Sequence, residues 1–171
     1  TGAESQISLG MNAQVLEDAP GHLQLQDVRQ RDRDWSAFHS DTFNFGFSKS
    51  VWWARIRLHH LGQTPIRRML DVGTALQDEI DWYVVKPDGQ VVQHVLTGDR
   101  HPFATRPIHT RVPTFQIDMQ PGEVLDLYVR LSSHDGLQEA ISLKLWHPNA
   151  HVQALETETL AFGLYFGALG T

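Results

Sequence analysis

Apolar and polar residues alternate with period two along most of this chain, the pattern of strands that bury one face. The clearest run is Val51-Trp52-Trp53-Ala54-Arg55-Ile56-Arg57-Leu58. Trp52, Ala54, Ile56 and Leu58 fall on one face of it, and Trp53, Arg55 and Arg57 on the other. Leu23-Gln24-Leu25-Gln26-Asp27-Val28 alternates in the same way. Residues 67–72 and 79–86 predict two further strands. The second runs into Pro87-Asp88-Gly89, a strong turn signal, and 91–96 returns as the other arm of a hairpin. Residues 113–119, 124–131 and 140–146 complete the set. Strands at such short intervals predict an all-β protein, an antiparallel sandwich or barrel.

The period changes only near the end. After Trp146-His147-Pro148-Asn149, the residues Val152, Leu155, Thr159 and Phe162 recur at 3–4 spacing and predict a helix over 150–169. A weaker helical turn is expected near 30–38. The long helix leads into Leu160-Ala-Phe-Gly-Leu-Tyr-Phe-Gly-Ala-Leu-Gly-Thr171, an apolar, glycine-rich run. A membrane span needs about 20 apolar residues, so this run reads as the first turns of one. The competing reading is a short amphipathic helix packed on the domain. The expected organisation is a β-sandwich over 1–148 and a juxtamembrane helix with the start of a first transmembrane helix over 149–171.

Composition narrows the functional classes. The 171 residues suit one domain, and 41% hydrophobic content supports a core. A formal net charge of −6 argues against nucleic-acid binding. Three of the basic residues are lysine (Lys49, Lys86, Lys144), which gives no lysine-rich anchor for acidic lipid. With no cysteine, disulfide frameworks and thiol chemistry are excluded. The ten histidines lack tight ligand spacing, and His59 and His60 alternate across a strand. No nucleophile elbow, phosphate-binding loop or zinc-protease motif occurs. No catalytic residue, metal ligand or cofactor is therefore assigned.

Two groups of residues suit ligand recognition. The segment 97–112 is the longest irregular connection, and long loops on a rigid scaffold carry binding chemistry. Within it, Asp99, Arg100, His101, Phe103 and Arg106 place an acid, two guanidiniums, an imidazole and a ring within ten residues. Arginine offers a planar fork for carboxylate or phosphate. Arg55, Arg57 and Arg130 lie mid-strand, where each must meet solvent or pair with an acid. If they share a face with Trp53, they make a cleft for an anion or a sugar. Trp53, next to Arg55, is expected to be more exposed than the core residues Trp52 and Trp82.

Several stretches in order also resemble a known family. These are Val15-Leu16-Glu17-Asp18, Leu23-Gln24-Leu25, Phe45-Gly46-Phe47-Ser48 and Trp52-Trp53-Ala54-Arg55. Gly98-Asp99-Arg100-His101-Pro102-Phe103, Arg106-Pro107, Leu127-Tyr128-Val129-Arg130-Leu131-Ser132-Ser133 and Phe162-Gly163-Leu164-Tyr165-Phe166-Gly167 follow. Together they resemble the type-2 extracellular sensor domain of bacterial seven-transmembrane receptors with diverse intracellular signalling modules. The resemblance implies a periplasmic, jelly-roll-like sandwich similar to carbohydrate-binding modules. It also implies seven membrane helices beyond it, a histidine kinase or diguanylate cyclase as output, and sensing of small ligands, often carbohydrates, or ions.

The expected function is thus ligand sensing for a membrane receptor, with a carbohydrate or a small anion or organic acid as ligand. The residues expected to carry it are Trp53, Arg55, Asp99, Arg100, Phe103, Arg106 and Arg130. The alternative is a protein–protein or dimerisation module that binds a second copy or another receptor. A sugar-binding module of a secreted enzyme fits the apolar C-terminal run less well.

Overall fold

The computed structural model of the chain describes residues 5–73, 76–136 and 140–169, with side chains of the last helix as far as Phe162. In chain order the elements are β1 (Gln6–Ser8), β2 (Gln14–Asp18), α1 (Leu25–Arg29), β3 (Ser36–Ala37), β4 (Thr42–Phe43) and β5 (Val51–His59). There follow β6 (Ile66–Val72), β7 (Glu79–Val85), β8 (Val91–Thr97), β9 (Thr114–Met119), β10 (Val124–Ser132), β11 (Ile141–Trp146) and α2 (Pro148–Leu169). One sheet runs β1-β11-β6-β9, with β4 beside the start of β11, and the other runs β3-β2-β5-β10-β7-β8. Pairing within both is antiparallel. The fold is a jelly-roll-like antiparallel β-sandwich; the alternation predicts a sandwich or barrel, and the family resemblance implies the jelly-roll form.

The core lies where the inward faces meet. Ala54, Ile56 and Leu58 of β5, Leu125, Leu127 and Val129 of β10, and Ile80, Trp82 and Val84 of β7 come from one sheet. Leu70 and Val72 of β6, Phe115, Ile117 and Met119 of β9, and Leu143 and Leu145 of β11 come from the other. Trp82 stacks on Phe115 at 5.1 Å between centroids. These are the alternate positions of each strand, which is why period two was readable in the sequence. Seven of the predicted strands appear, within one or two residues of their expected bounds.

The other face of the six-stranded sheet is partly covered as well. Residues 19–35 fold back over it as a strap. Asp18, buried at the end of β2, accepts N–H bonds from Gly21 (3.0 Å), His22 (3.3 Å) and Leu23 (2.8 Å) and so turns the chain. The Asp27 carboxylate accepts the Gln24 N–H at 2.8 Å and closes the first turn of α1. Val28 is buried, and Leu23 and Leu25 pack beside it on Leu16, Val51, Trp53, Val85 and Tyr128. The Trp35 indole N–H donates to the Val28 carbonyl at 3.0 Å and fastens the far end. The strand expected over 23–28 is therefore a helical turn, because Leu25 and Val28, three apart, reach the same patch. The helical turn expected near 30–38 is instead a turn leading into β3.

The C-terminal helix appears as predicted, beginning two residues earlier at Pro148. Proline suits a first helical position, where its missing N–H has no partner to lose. The helix is tied to the five-stranded sheet by its first turns. His151 is buried, and its Nε2 lies 2.8 Å from Asp71 Oδ1 on β6. The same oxygen accepts Thr114 Oγ1 of β9 at 2.8 Å, and Thr110 Oγ1 donates to Thr114 Oγ1. Arg111 pairs with Glu158 two turns further along, and its guanidinium lies 5.8 Å from the Phe162 ring. Among the described residues no helix is long and apolar enough to cross a membrane. The side chains of 163–169, and residues 170–171, which carry most of the expected membrane run, lie outside those described.

Candidate ligand-binding site

Strand register fixes which side chains share the outer face of the six-stranded sheet. Across it, Leu16, Trp53, Arg130, Asp81 and Leu96 form one row, and Gln14, Arg55, Tyr128, Tyr83 and His94 the next. Arg57, Asp126 and Val85 follow in a third row. The three mid-strand arginines and Trp53 thus share one face, the arrangement that favours a cleft.

Each arginine there has a partner. Arg55 Nε donates to Gln14 Oε1 at 2.7 Å, Nη1 donates to Asp32 Oδ1 at 2.8 Å, and the guanidinium lies 4.6 Å over the Trp35 ring. Arg57 forks onto Asp126 with bonds of 2.6 and 2.8 Å. Arg130 makes looser contacts, 3.4 Å to the Gly21 carbonyl and 3.9 Å to Glu79 Oε2. The hydrogen bond and charge of Asp126 push the Arg57 pKa up. Burial pushes the Tyr128 phenol up, and burial with the Asp81 hydrogen bond does the same to Tyr83. Both phenols stay neutral donors at physiological pH. Asn12, Gln14, Asp32, Arg55, Arg57, Asp126 and Tyr128 line a cleft of ≈ 540 Å³. That volume falls in the range of small-molecule sites.

Trp53 departs from expectation. It faces away from the core, as the alternation requires, but the strap buries it to 1% exposure. Its indole N–H has no hydrogen-bond partner among the described residues. Trp52, expected in the core, is half-buried and stacks on Phe45 at 4.0 Å.

The loop residues stand outside the Arg55 cleft, Arg100 in one place and Phe103 with Arg106 in another. Arg100 lines a second cleft of ≈ 430 Å³ with Lys49, Asp78, Glu79, Ser132, Ser133 and His134. Asp99 is exposed, and its backbone N–H donates to the Gln77 carbonyl at 2.8 Å. Arg106 is buried and folds the loop on itself, donating to the carbonyls of Thr110 (2.8 Å) and Arg111 (2.6 Å). Phe103 is half exposed, with the Arg106 guanidinium 4.9 Å from its ring. Of the seven expected residues, the structure places Trp53, Arg55 and Arg130 on one sheet face, and of these Arg55 lines the cleft. Arg100 stands at the neighbouring cleft, and Asp99, Phe103 and Arg106 stand apart.

The sequence reading did not single out Gln14, Asp32, Asp126 or Tyr128. Asp126, Tyr128 and Arg130 alternate on one strand face, so two of them were findable beside Arg130. Asp32 has no local signal, because it meets Arg55 only through the folded strap.

The molecule is thus a jelly-roll-like sandwich with a polar cleft on one sheet and a helix anchored to the other. The chain belongs to the 7TMR-DISM extracellular 2 family, whose model matches residues 10–147. It is accordingly an extracellular sensor-type domain of that receptor class. Among solved structures, it is similar to the native family 35 carbohydrate binding module from Clostridium thermocellum, at 7% identity and a TM-score of 0.39. That match covers 83% of this chain and 98% of the other. A family 35 module from Paenibacillus barcinonensis matches at 7% identity and a TM-score of 0.32, over 82% and 96% of the two chains. Comparison with curated proteins gives no match.

Proposed function

We propose that this domain is the periplasmic ligand-sensing part of a bacterial membrane receptor, and that a carbohydrate or small organic anion binds in the Arg55 cleft. The observation that carries the reading is the cleft's composition. Two guanidiniums, two carboxylates, two amides and a phenol converge on ≈ 540 Å³ of open space. Planar forks and paired acceptors suit hydroxyls and oxyanions. In this reading residues 1–148 sense, and residues 149–171 lead into the membrane toward a kinase or cyclase output. Ligand binding favours one conformation by differential affinity.

The test is a thermal-shift screen of the domain against sugars, organic acids, amino acids and Ca²⁺. A ligand at a hundredfold excess over its dissociation constant adds about 2.7 kcal/mol to the folded state. A shift lost in Arg57→Ala, with circular dichroism unchanged, supports the cleft. The absence of a shift across the panel overturns the reading.

One observation favours the protein–protein alternative. Strand β8 is an edge with Val91, Val92 and Leu96 each more than 40% exposed and no lysine or proline to blunt it. A dimer in sedimentation that dissociates in Val92→Lys, together with a silent ligand screen, would support that alternative.

A further inference from the structure

We infer that the cleft is a carboxylate site which the strap occupies with its own Asp32, and that its ligand is a small organic carboxylate that displaces Asp32 from Arg55. The inference rests on the ligand-sensing reading and names the ligand class of the same cleft.

Arg55 is fixed without Asp32. Gln14 holds its Nε at 2.7 Å, the Trp35 ring lies 4.6 Å under its plane, and its side chain is 21% exposed. The guanidinium therefore keeps its aim when the edge that now faces Asp32 changes partner. A preorganised fork of this kind is suited to a carboxylate.

Asp32 is the opposite kind of group. Its side chain is 80% exposed, and Arg55 is its hydrogen-bond partner among the described residues. It sits in the turn between α1 and the Trp35 anchor, where Asp34 N–H donates to the Arg31 carbonyl at 2.9 Å. Exposed ion pairs are weak, since water screens them and both side chains lose freedom. A fixed cation thus faces a releasable anion.

The exchange conserves charge. The cleft holds Arg55 and Arg57 against Asp32 and Asp126, and a ligand carboxylate replaces Asp32 one for one. Asp126 is not released as readily, because Arg57 grips it with both fork nitrogens. Asn12, Gln14 and Tyr128 line the remaining wall for the ligand's other polar groups. The Arg55 hydrogen bond and charge, with the charge of Arg57, hold the Asp32 carboxyl below its ordinary value of 3.8. Asp32 is therefore ionised throughout the neutral range and competes there at full strength. Its departure frees one tie of the strap that covers Trp53 and Tyr128.

The experiment is calorimetric titration of the intact domain with sodium acetate and sodium succinate, with sodium chloride at matched ionic strength as control. Asp32→Asn removes the competing charge from an exposed position. If Asp32 occupies the site nine-tenths of the time, affinity for both carboxylates rises about tenfold in this variant. Arg55→Gln abolishes the heat, and Arg55→Lys, which keeps charge but loses the fork, retains a weaker response. Unchanged or weaker binding in Asp32→Asn overturns the inference, as does silence of wild type and Asp32→Asn toward both carboxylates. A neutral sugar that shifts melting, loses that shift in Arg57→Ala and ignores Asp32→Asn leaves the sensing reading standing while the carboxylate assignment falls. A silent panel removes both.

Discussion

Gly98 shows how a single residue in the loop shapes the neighbouring cleft. Its φ is 139°, and a Cβ there would lie 2.2 Å from the Asp78 carbonyl oxygen. An L side chain can neither adopt the angle comfortably nor fit the gap. Gly98→Ala should therefore cost about 2–3 kcal/mol, read as a lower urea midpoint with unchanged slope. An unchanged midpoint would mean that the two chain segments separate freely. Because Asp78 and Glu79 line the second cleft, the damage belongs to that end of the sandwich. Gly98 is thus a fold determinant within the Gly98-Asp99-Arg100 motif, whereas Asp99 is exposed. The sequence treats Arg55, Arg100, Arg106 and Arg130 alike as forks. Their partners separate them: a strap carboxylate, a cleft wall, two loop carbonyls and a turn carbonyl respectively. None of those partners is near in sequence except the carbonyls that Arg106 grips.

At the scale of elements, legibility followed length. Strands of six residues or more carry enough alternation to be read, and β5 to β11 were. Strands β1, β3 and β4 have two or three residues each and exist because β11 and β2 offer them an edge. The strap was misread because alternate apolar residues in a short segment fit a turn of helix as well as a strand. Helix α2 was legible, but its attachment was not, since His151 and Asp71 are 80 positions apart. That attachment is testable. His151→Ala leaves the buried Asp71 carboxylate without its imidazole partner, at a cost of about 1–3 kcal/mol. Amide exchange over 148–158 should quicken more than in the sheets. Equal quickening everywhere would show that the pair supports the whole sandwich rather than the helix.

For the whole molecule, the division of labour lies between the two sheets. The Arg55 cleft opens on the outer face of the six-stranded sheet, and α2 is anchored through Asp71 of the five-stranded one. Between them lies a close-packed core, which transmits displacement rather than absorbing it. The polar run Thr110–Thr114–Asp71–His151 connects the loop that Arg106 folds to the first turn of the helix. If 149–171 is an output segment added to a complete sandwich, its distal half should be dispensable for folding. The anchors at His151 and Glu158 both precede Leu160, and Leu160 and Phe162 are 67% and 49% exposed. Deleting 160–171 should therefore shift the melting temperature by no more than the equivalent of about 1 kcal/mol, improve solubility, and leave ligand-induced shifts intact. The Arg111–Phe162 contact is among the ties that would be lost. A large fall in melting temperature would instead make this segment part of the domain's own packing, and the helix would then be a component of the sensor rather than its exit.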